Sequence, residues 1–361
     1  MHAVNASKRR TRFPRLSRAL RKLVLISAIA YPIALVVVIL LFLYVGEDAW
    51  FTALALYLPR AAFLLPLVPI VIGLLAYRKR RLLYAQGVAF LLVVFPLMGL
   101  VLPGSADPSG APKLRVMSFN TNAGYAGWDP VVAAIKQQRA DVVLLHEVLL
   151  DHQGLADRLK AAGFPHVEVS SQFVTASRFP ILESVDPPRI PWEGRQRSPR
   201  FMRHVIQTPL GRVAFYNVHP LSPRGMLGIW RARAALVKLK SGELLEGDPQ
   251  SDVHGNAGLR AKQLELVGRL ATNEPLPVVI GGDLNVPGLS AAYHRSLSGF
   301  RDGFRDAGAG LGYTFPQKLP LMRLDRVLAS EDFRFTSFEI ACRDLSDHFC
   351  VVADLERPRD E

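Results

Sequence analysis

The stretch VVIGGDLNVP, residues 278–287, sets an apolar run, a glycine pair and two polar side chains side by side within ten residues. Val278–Ile280 is of strand length and apolar at every position, so as a strand it is buried on both faces. Asp283 and Asn285 follow at its end. The same pattern recurs outward along the chain. Leu114–Phe119 runs into Asn120, Val142–Leu145 into Glu147, and Val213–Val218 into His219, while Cys350–Leu355 begins just after Asp347 and His348. Between these runs the apolar spacing predicts helices at Pro130–Gln138, Leu155–Ala162, Arg231–Lys240 and Leu259–Leu270. Residues 221–258 read as an insertion of mixed composition, and the chain has no internal repeat.

Polar groups at the ends of rigid buried strands are what an active site needs. The set is Asn120, Glu147, His219, Asp283, Asn285, Asp325, Asp347 and His348. It contains no cysteine and no His-x-x-x-His pair, which argues against zinc. Carboxylate and amide oxygens suit a hard ion, Mg²⁺ or Mn²⁺. Taken singly, Asn120 also reads as a cap, Asp283 and Asn285 as turn formers, and His219 before Pro220 as a loop histidine.

Six segments in order resemble one family: LRVMSFNTNAG (114–124), DVVLLHEV (141–148), YNVHP (216–220), VVIGGDLNVP (278–287), RLDRVLAS (323–330) and LSDHFCVV (345–352). The family is the endonuclease/exonuclease/phosphatase superfamily, and the resemblance covers about residues 113–357. It implies an α+β fold, a four-layer α/β/β/α sandwich of two packed mixed sheets with the site at their rim. It also implies that Glu147 is the main ligand of a divalent cation, with Asn120 and Asp347 completing the shell. His348 resembles the general base or phosphate stabiliser, oriented by Asp325. Asp283 and Asn285 resemble the pair that orients the attacking water and the phosphate oxygens. His219 resembles the second histidine of the deoxyribonuclease and sphingomyelinase branch, acting as acid or phosphate ligand. Arg178, in TASRFPI (175–181), matches an arginine that faces phosphate, and GYTFP (312–316) a substrate-side loop.

Two departures bear on the metal. The family usually has Gln where this chain has His146, and Asn122 stands where some members carry an acid. The remaining histidines, His146 included, read as surface or packing residues. Cys342 and Cys350 flank the SDH loop on two runs that can pair as a hairpin. They read either as a disulfide bracing His348 or as two buried thiols.

The chain has 361 residues, half of them hydrophobic, and a net charge of +13. Half-apolar composition argues against disorder, and two cysteines exclude a disulfide-rich scaffold. The charge is concentrated at one end. Residues 1–102 hold thirteen Lys/Arg against Glu47 and Asp48, so the other 259 residues net only +2. The same third holds three long uncharged runs, read as three transmembrane helices at about 23–45, 61–77 and 82–102. Trp50–Pro59 reads as an interfacial segment between spans. The organisation is then a basic cytoplasmic tail (1–22), a membrane region (23–102), a Pro/Gly/Ser linker (103–112) and the catalytic domain (113–361). Basic residues in the tail and at Arg78–Arg81 place the N-terminus in the cytoplasm and the domain outside it, periplasmic or extracellular.

The expected function is a membrane-anchored, divalent-metal-dependent phosphodiesterase that uses an activated water in line. Its partner is a phosphodiester substrate, nucleic acid or phospholipid head group, and no obligate protein partner is evident. A sphingomyelin-type lipid phosphodiesterase and a non-catalytic domain that binds a phosphorylated ligand are the alternatives. The arginines within Arg189–Arg203 read either as a track for a phosphate backbone or as a solvated face. A channel or transporter is disfavoured, because no charge interrupts the spans.

Overall fold

The computed structural model describes residues 14–104, 111–224 and 253–358. The predicted helix at Arg231–Lys240 and most of the linker lie outside the described residues. The chain divides into two compact units, Met1–Ile39 with Arg60–Met98 and Leu40–Pro59 with Gly99–Glu361.

The helix Pro14–Tyr44 contributes its residues up to Ile39 to the first unit, which also holds shorter helices, Leu67–Ala76 and Leu83–Leu92, the last continued by a π turn at Val93–Leu97. Ala28, Ile70 and Leu74 form its small core, and the Gln86 amide donates to the Ala28 carbonyl at 2.7 Å. Two helical stretches, Arg18–Tyr44 and Arg80–Leu97, are long and apolar enough to cross a membrane. The expected middle span falls short: Arg60–Ala76 consists of a 3₁₀ turn to Leu64 and a ten-residue helix that starts after Pro66.

The second unit carries the strands. They are β1 Lys113–Asn120, β2 Val142–His146, β3 His166–Ser170, β4 Phe173–Ser177, β5 Ile181–Val185, β6 Ile190–Trp192, β7 Arg195–Arg197, β8 Phe201–Thr208, β9 Gly211–Val218, β10 Val278–Asp283, β11 Arg301–Asp302, β12 Asp325–Ala329, β13 Arg334–Ala341 and β14 Cys350–Glu356. One six-stranded sheet runs β13-β14-β1-β2-β4-β3 and the other β11-β12-β10-β9-β8-β5. Each is mixed, with a single parallel pair at its centre, β1 with β2 and β9 with β10. The strand period of two sends alternate side chains to opposite faces. Leu114 and Val116 meet Val213, Phe215 and Val279 between the sheets. Met117 and Phe119 face the helices Trp128–Gln138 and His152–Ala161, while Val278 and Ile280 face Val253–Thr272 and Ala291–Leu297.

This topology gathers the polar residues. The four central strands deliver Asn120, Glu147, His219 and Asp283 to one rim, where the antiparallel partners β12 and β14 begin with Asp325 and just after His348. Asp283 and Asp325 are register partners, as are Asn120 and His146. Gly282 permits the close pairing of β10: a Cβ there would lie 1.8 Å from the Val218 carbonyl oxygen of β9.

Candidate active site

His348 and His219 approach the Asp283 carboxylate from two sides. His348 Nδ1 lies 2.9 Å from Asp325 Oδ2, and its Nε2 is 3.5 Å from Asp283 Oδ2. His219 Nδ1 lies 2.9 Å from Gln172 Oε1, which leaves Nε2 3.3 Å from Glu147 Oε1 and 3.7 Å from Asp283 Oδ2. Asn120 donates its amide N–H to the same Asp283 oxygen at 3.1 Å, and the Asn285 backbone N–H donates to Asp283 Oδ1 at 2.9 Å. Glu147 and Asn285 both have positive φ, 55° and 53°. Side chains other than Gly rarely adopt this conformation, and it collects at functional sites, where the surrounding structure enforces it.

The electrostatics follow from burial set against the neighbouring charges. For Asp283, burial is the largest influence and Asp325 adds to it; the imidazoles oppose, and the balance holds the carboxyl above its usual range. Burial alone would discharge His348, but the Asp325 and Asp283 carboxylates outweigh it and raise the ring to about 9. Burial likewise opposes ionisation of Glu147, yet the hydrogen bond and charge of His219, then Arg224 and His348, bring it to about 2. The rim is thus a set of carboxylates balanced by imidazoles.

Asn120, Glu147, His219, Asp283, Asn285, Asp325 and His348 therefore come together as the sequence reading expects. Asp347 lies beside them and Arg178 does not join them. Asp347 stands at the edge of the cluster: it pairs with Arg224, which lines the same cavity as Glu147 and Asp283, and its charge adds to those that raise His348. Arg178 follows Ser177, which pairs with Val142 at the start of β2, so it lies at the opposite end of that strand from Glu147. There its guanidinium donates to the Ala140 carbonyl and covers the Phe164 ring, which is a packing role. The antiparallel run of β4 is the physical reason, because it carries the segment away from the rim.

His146 has more than a packing role. It is fully buried, stacks on His219 with ring centroids 5.4 Å apart, and accepts the Asp283 backbone N–H on Nε2 at 3.0 Å. Burial, then the imidazoles of His219 and His348, hold it neutral. Its place beside Glu147 was visible in the sequence; its bond to Asp283 was not. Gln172, which orients His219, and Arg224, which meets Asp347, carried no sequence signal. Cys342 and Cys350 form a disulfide closing the loop that bears His348. Phe315 of the GYTFP loop lies against the His348 ring at 4.5 Å.

The donor set fits a hard divalent cation. Asp283, Asp325 and His348 each offer an atom within 4.8 Å of the others, and Asp325 Oδ1 is buried with no hydrogen-bond partner among the described residues. Glu147 adds a carboxylate near Asp283 through His219, while Asn120 turns its Nδ2 to Asp283 and its Oδ1 accepts the Asn122 backbone N–H.

The sequence profile of the Endonuclease/Exonuclease/phosphatase family matches residues 117–348, well over half of the chain, and the protein belongs to that family. Its members are generally hydrolases of phosphodiester bonds and depend on divalent metal. A solved endonuclease/exonuclease/phosphatase from Beutenbergia cavernae is 21% identical over 68% of this chain and 72% of its own, with a TM-score of 0.51. Truncated Caenorhabditis elegans TDP2 is 20% identical over 68% of this chain and 97% of its own, TM-score 0.48. Sphingomyelinase C from Streptomyces griseocarneus is 20% identical over 67% and 99%, TM-score 0.45. The first likeness is one of fold. No curated protein sequence matches the chain significantly.

Proposed function

We propose that the protein is a membrane-anchored, divalent-metal-dependent phosphodiesterase whose site lies at the Asp283 rim. The observation that carries this reading is the convergence of two imidazole Nε2 atoms on one buried carboxylate oxygen, with Glu147 beside them. In-line hydrolysis needs an oriented water, compensation for the phosphate oxygens and a proton for the leaving oxygen. Asp283, with its carboxyl raised and its geometry fixed by Asn285 and Asn120, takes the proton of the attacking water. His348, kept charged by Asp325, steadies a phosphate oxygen. His219, oriented by Gln172, supplies the proton to the leaving oxygen. Glu147 and Asn120, with Asp347 more remote, would hold Mg²⁺ or Mn²⁺, which when bound neutralises charge on the phosphate.

The membrane reading rests on the first unit. The helix Arg18–Tyr44 is apolar and mostly exposed, and it turns Ile26, Ile29 and Ile33 outward. Arg60–Ala76 is divided at Pro66 into a 3₁₀ turn and a ten-residue helix of ~15 Å, about half of the ~30 Å hydrocarbon core, so the third pass is proposed on the uncharged run Ala61–Tyr77 alone. Three passes put the domain outside the cytoplasm, where the Cys342–Cys350 disulfide is at home. A lipid phosphodiester and a nucleic acid are then both within reach of the site.

The full chain in detergent should hydrolyse bis-p-nitrophenyl phosphate with Mg²⁺ or Mn²⁺ and stop on chelation. Salt-sensitive cleavage of DNA would identify a nuclease, and turnover confined to phospholipid vesicles a lipid phosphodiesterase. A wild-type chain no faster than His348→Ala on every phosphoester tried would overturn the proposal.

A further inference from the structure

The segment between the first two apolar stretches, Gly46–Pro59, belongs to the same compact unit as the active site. Its attachment is specific. Glu47 is fully buried, accepting the Ser290 hydroxyl at 2.5 Å and the Ala292 backbone N–H at 3.0 Å, at the start of the helix Ala291–Leu297. Asp48 pairs with both terminal nitrogens of Arg295, at 2.8 and 3.1 Å. Gly46 lies so close that a Cβ there would be 2.8 Å from the Ala291 nitrogen, and its φ of +44° favours glycine as well.

The segment ends its run across the unit at Tyr57. The hydroxyl donates to the Asn285 carbonyl at 2.7 Å, directly beside the Asp283 turn. The ring is covered at 5.7 Å by Arg260, whose guanidinium is held by the Leu221 carbonyl and Asn256 Oδ1. So fixed, Tyr57 lines a cavity of about 250 Å³ at the rim: Tyr57, Phe315, Met322 and Leu324 supply its apolar side, facing Glu147 and His348. Ser222 and Arg224 line it as well, the Arg224 guanidinium 5.9 Å from the Phe315 ring, so the catalytic side and Arg224 suit a phosphate while Tyr57, Met322 and Leu324 form an apolar wall.

We propose that Tyr57 is a specificity residue that contacts the organic group beside the scissile phosphate, and that the site selects phosphodiesters carrying an aromatic or alkyl group at that position. This rests on the phosphodiesterase reading above. Contact with the ring removes apolar surface of that group from water, an effect worth about five- to tenfold in discrimination.

Two probes with the same p-nitrophenolate leaving group separate the contact from the chemistry: bis-p-nitrophenyl phosphate, with an aromatic flanking group, and methyl p-nitrophenyl phosphate, with a methyl. The kcat/KM ratio of the two is measured on the full chain in detergent. Tyr57→Ala should lower the ratio about five- to tenfold, and Tyr57→Phe, which keeps the ring and loses the hydroxyl, should hold it within about twofold. A ratio unmoved by Tyr57→Ala overturns the proposal, as does a fall in Tyr57→Phe equal to that in alanine. If the alanine variant does not accumulate, Tyr57→Leu carries the test, with a fall of at least about threefold expected and an unchanged ratio overturning it. Absence of wild-type turnover on both probes overturns the underlying phosphodiesterase reading instead, so the two failures are distinguishable.

Discussion

Asp283 and Asp302 are both buried carboxylates in the same sheet, and their surroundings are opposite. Asp302 receives Arg323 Nη1 at 2.9 Å, Arg326 Nη1 at 2.7 Å and the Phe304 backbone N–H. Burial opposes its ionisation, but the two guanidinium groups outweigh burial and bring it to about 2. Among the described residues no guanidinium pairs with Asp283; it shares its surroundings with Asp325, two imidazoles and amide donors, and its carboxyl is held up. A carboxylate matched by cations is finished with its chemistry and serves the fold. One left with titratable neighbours can still take a proton, which is the property a catalytic group needs.

Exchanging each for its amide is the most direct way to break this contrast. Asp283→Asn should lower phosphodiester turnover by ~10³-fold while the unfolding midpoint stays level or rises, since the site already favours the neutral form. An equal loss in both activity and midpoint would make Asp283 structural. Within the site, Asp325 acts through His348, so Asp325→Asn should cost ~10²–10³-fold and add little when combined with His348→Gln. Fully additive losses would separate the pair. Asp302→Asn should do the reverse of Asp283→Asn. It leaves two buried arginines unmatched, costs ~3 kcal/mol and lowers the unfolding midpoint by about 10 °C, with kcat retained in the folded fraction. Calorimetry alongside turnover on each variant checks all three.

The same contrast explains how much was legible in the sequence. Strands buried on both faces, such as Val278–Asp283 and Val142–His146, announce themselves by continuous apolar residues, and the polar residues at their ends announce the rim. Partly exposed strands do not. Ile181–Val185, exposed at four of its five positions, has no apolar run to distinguish it from a loop. The direction of a strand is equally silent: TASRFPI marks a strand, and antiparallel pairing of β4 with β2 puts Arg178 at the end away from the rim. Asp347 is held by Arg224, a contact between positions 123 residues apart that no local pattern encodes. Tyr57 was hidden differently. Its apolar surroundings in the sequence suit a membrane interface, and only the anchoring of Glu47 on Ser290 and Ala292 shows that the segment packs on the catalytic unit.

Histidine sharpens the comparison with the smallest effect. His204 is as buried as His348, but its ring meets the Ser184 hydroxyl at 2.9 Å instead of a carboxylate. Burial, with the charge of Arg203, lowers it to about 4, whereas two carboxylates raise His348 to about 9. The consequence for stability has a definite sign. Between pH 6.5 and 4 the unfolded chain protonates at this position and the folded chain does not, so stability is intact above about 6.5 and declines as the pH falls toward 4. From pH 7 to pH 5 the loss is at most ~2 kcal/mol, or about 4–8 °C in the unfolding midpoint of the full chain. His204→Gln keeps a hydrogen-bonding side chain without the titration, and should remove that part of the acid sensitivity while leaving the midpoint at pH 7 nearly unchanged. If the variant loses its midpoint between pH 7 and 5 as steeply as the wild type, burial without a carboxylate does not suppress protonation here, and the contrast with His348 fails at its simpler end.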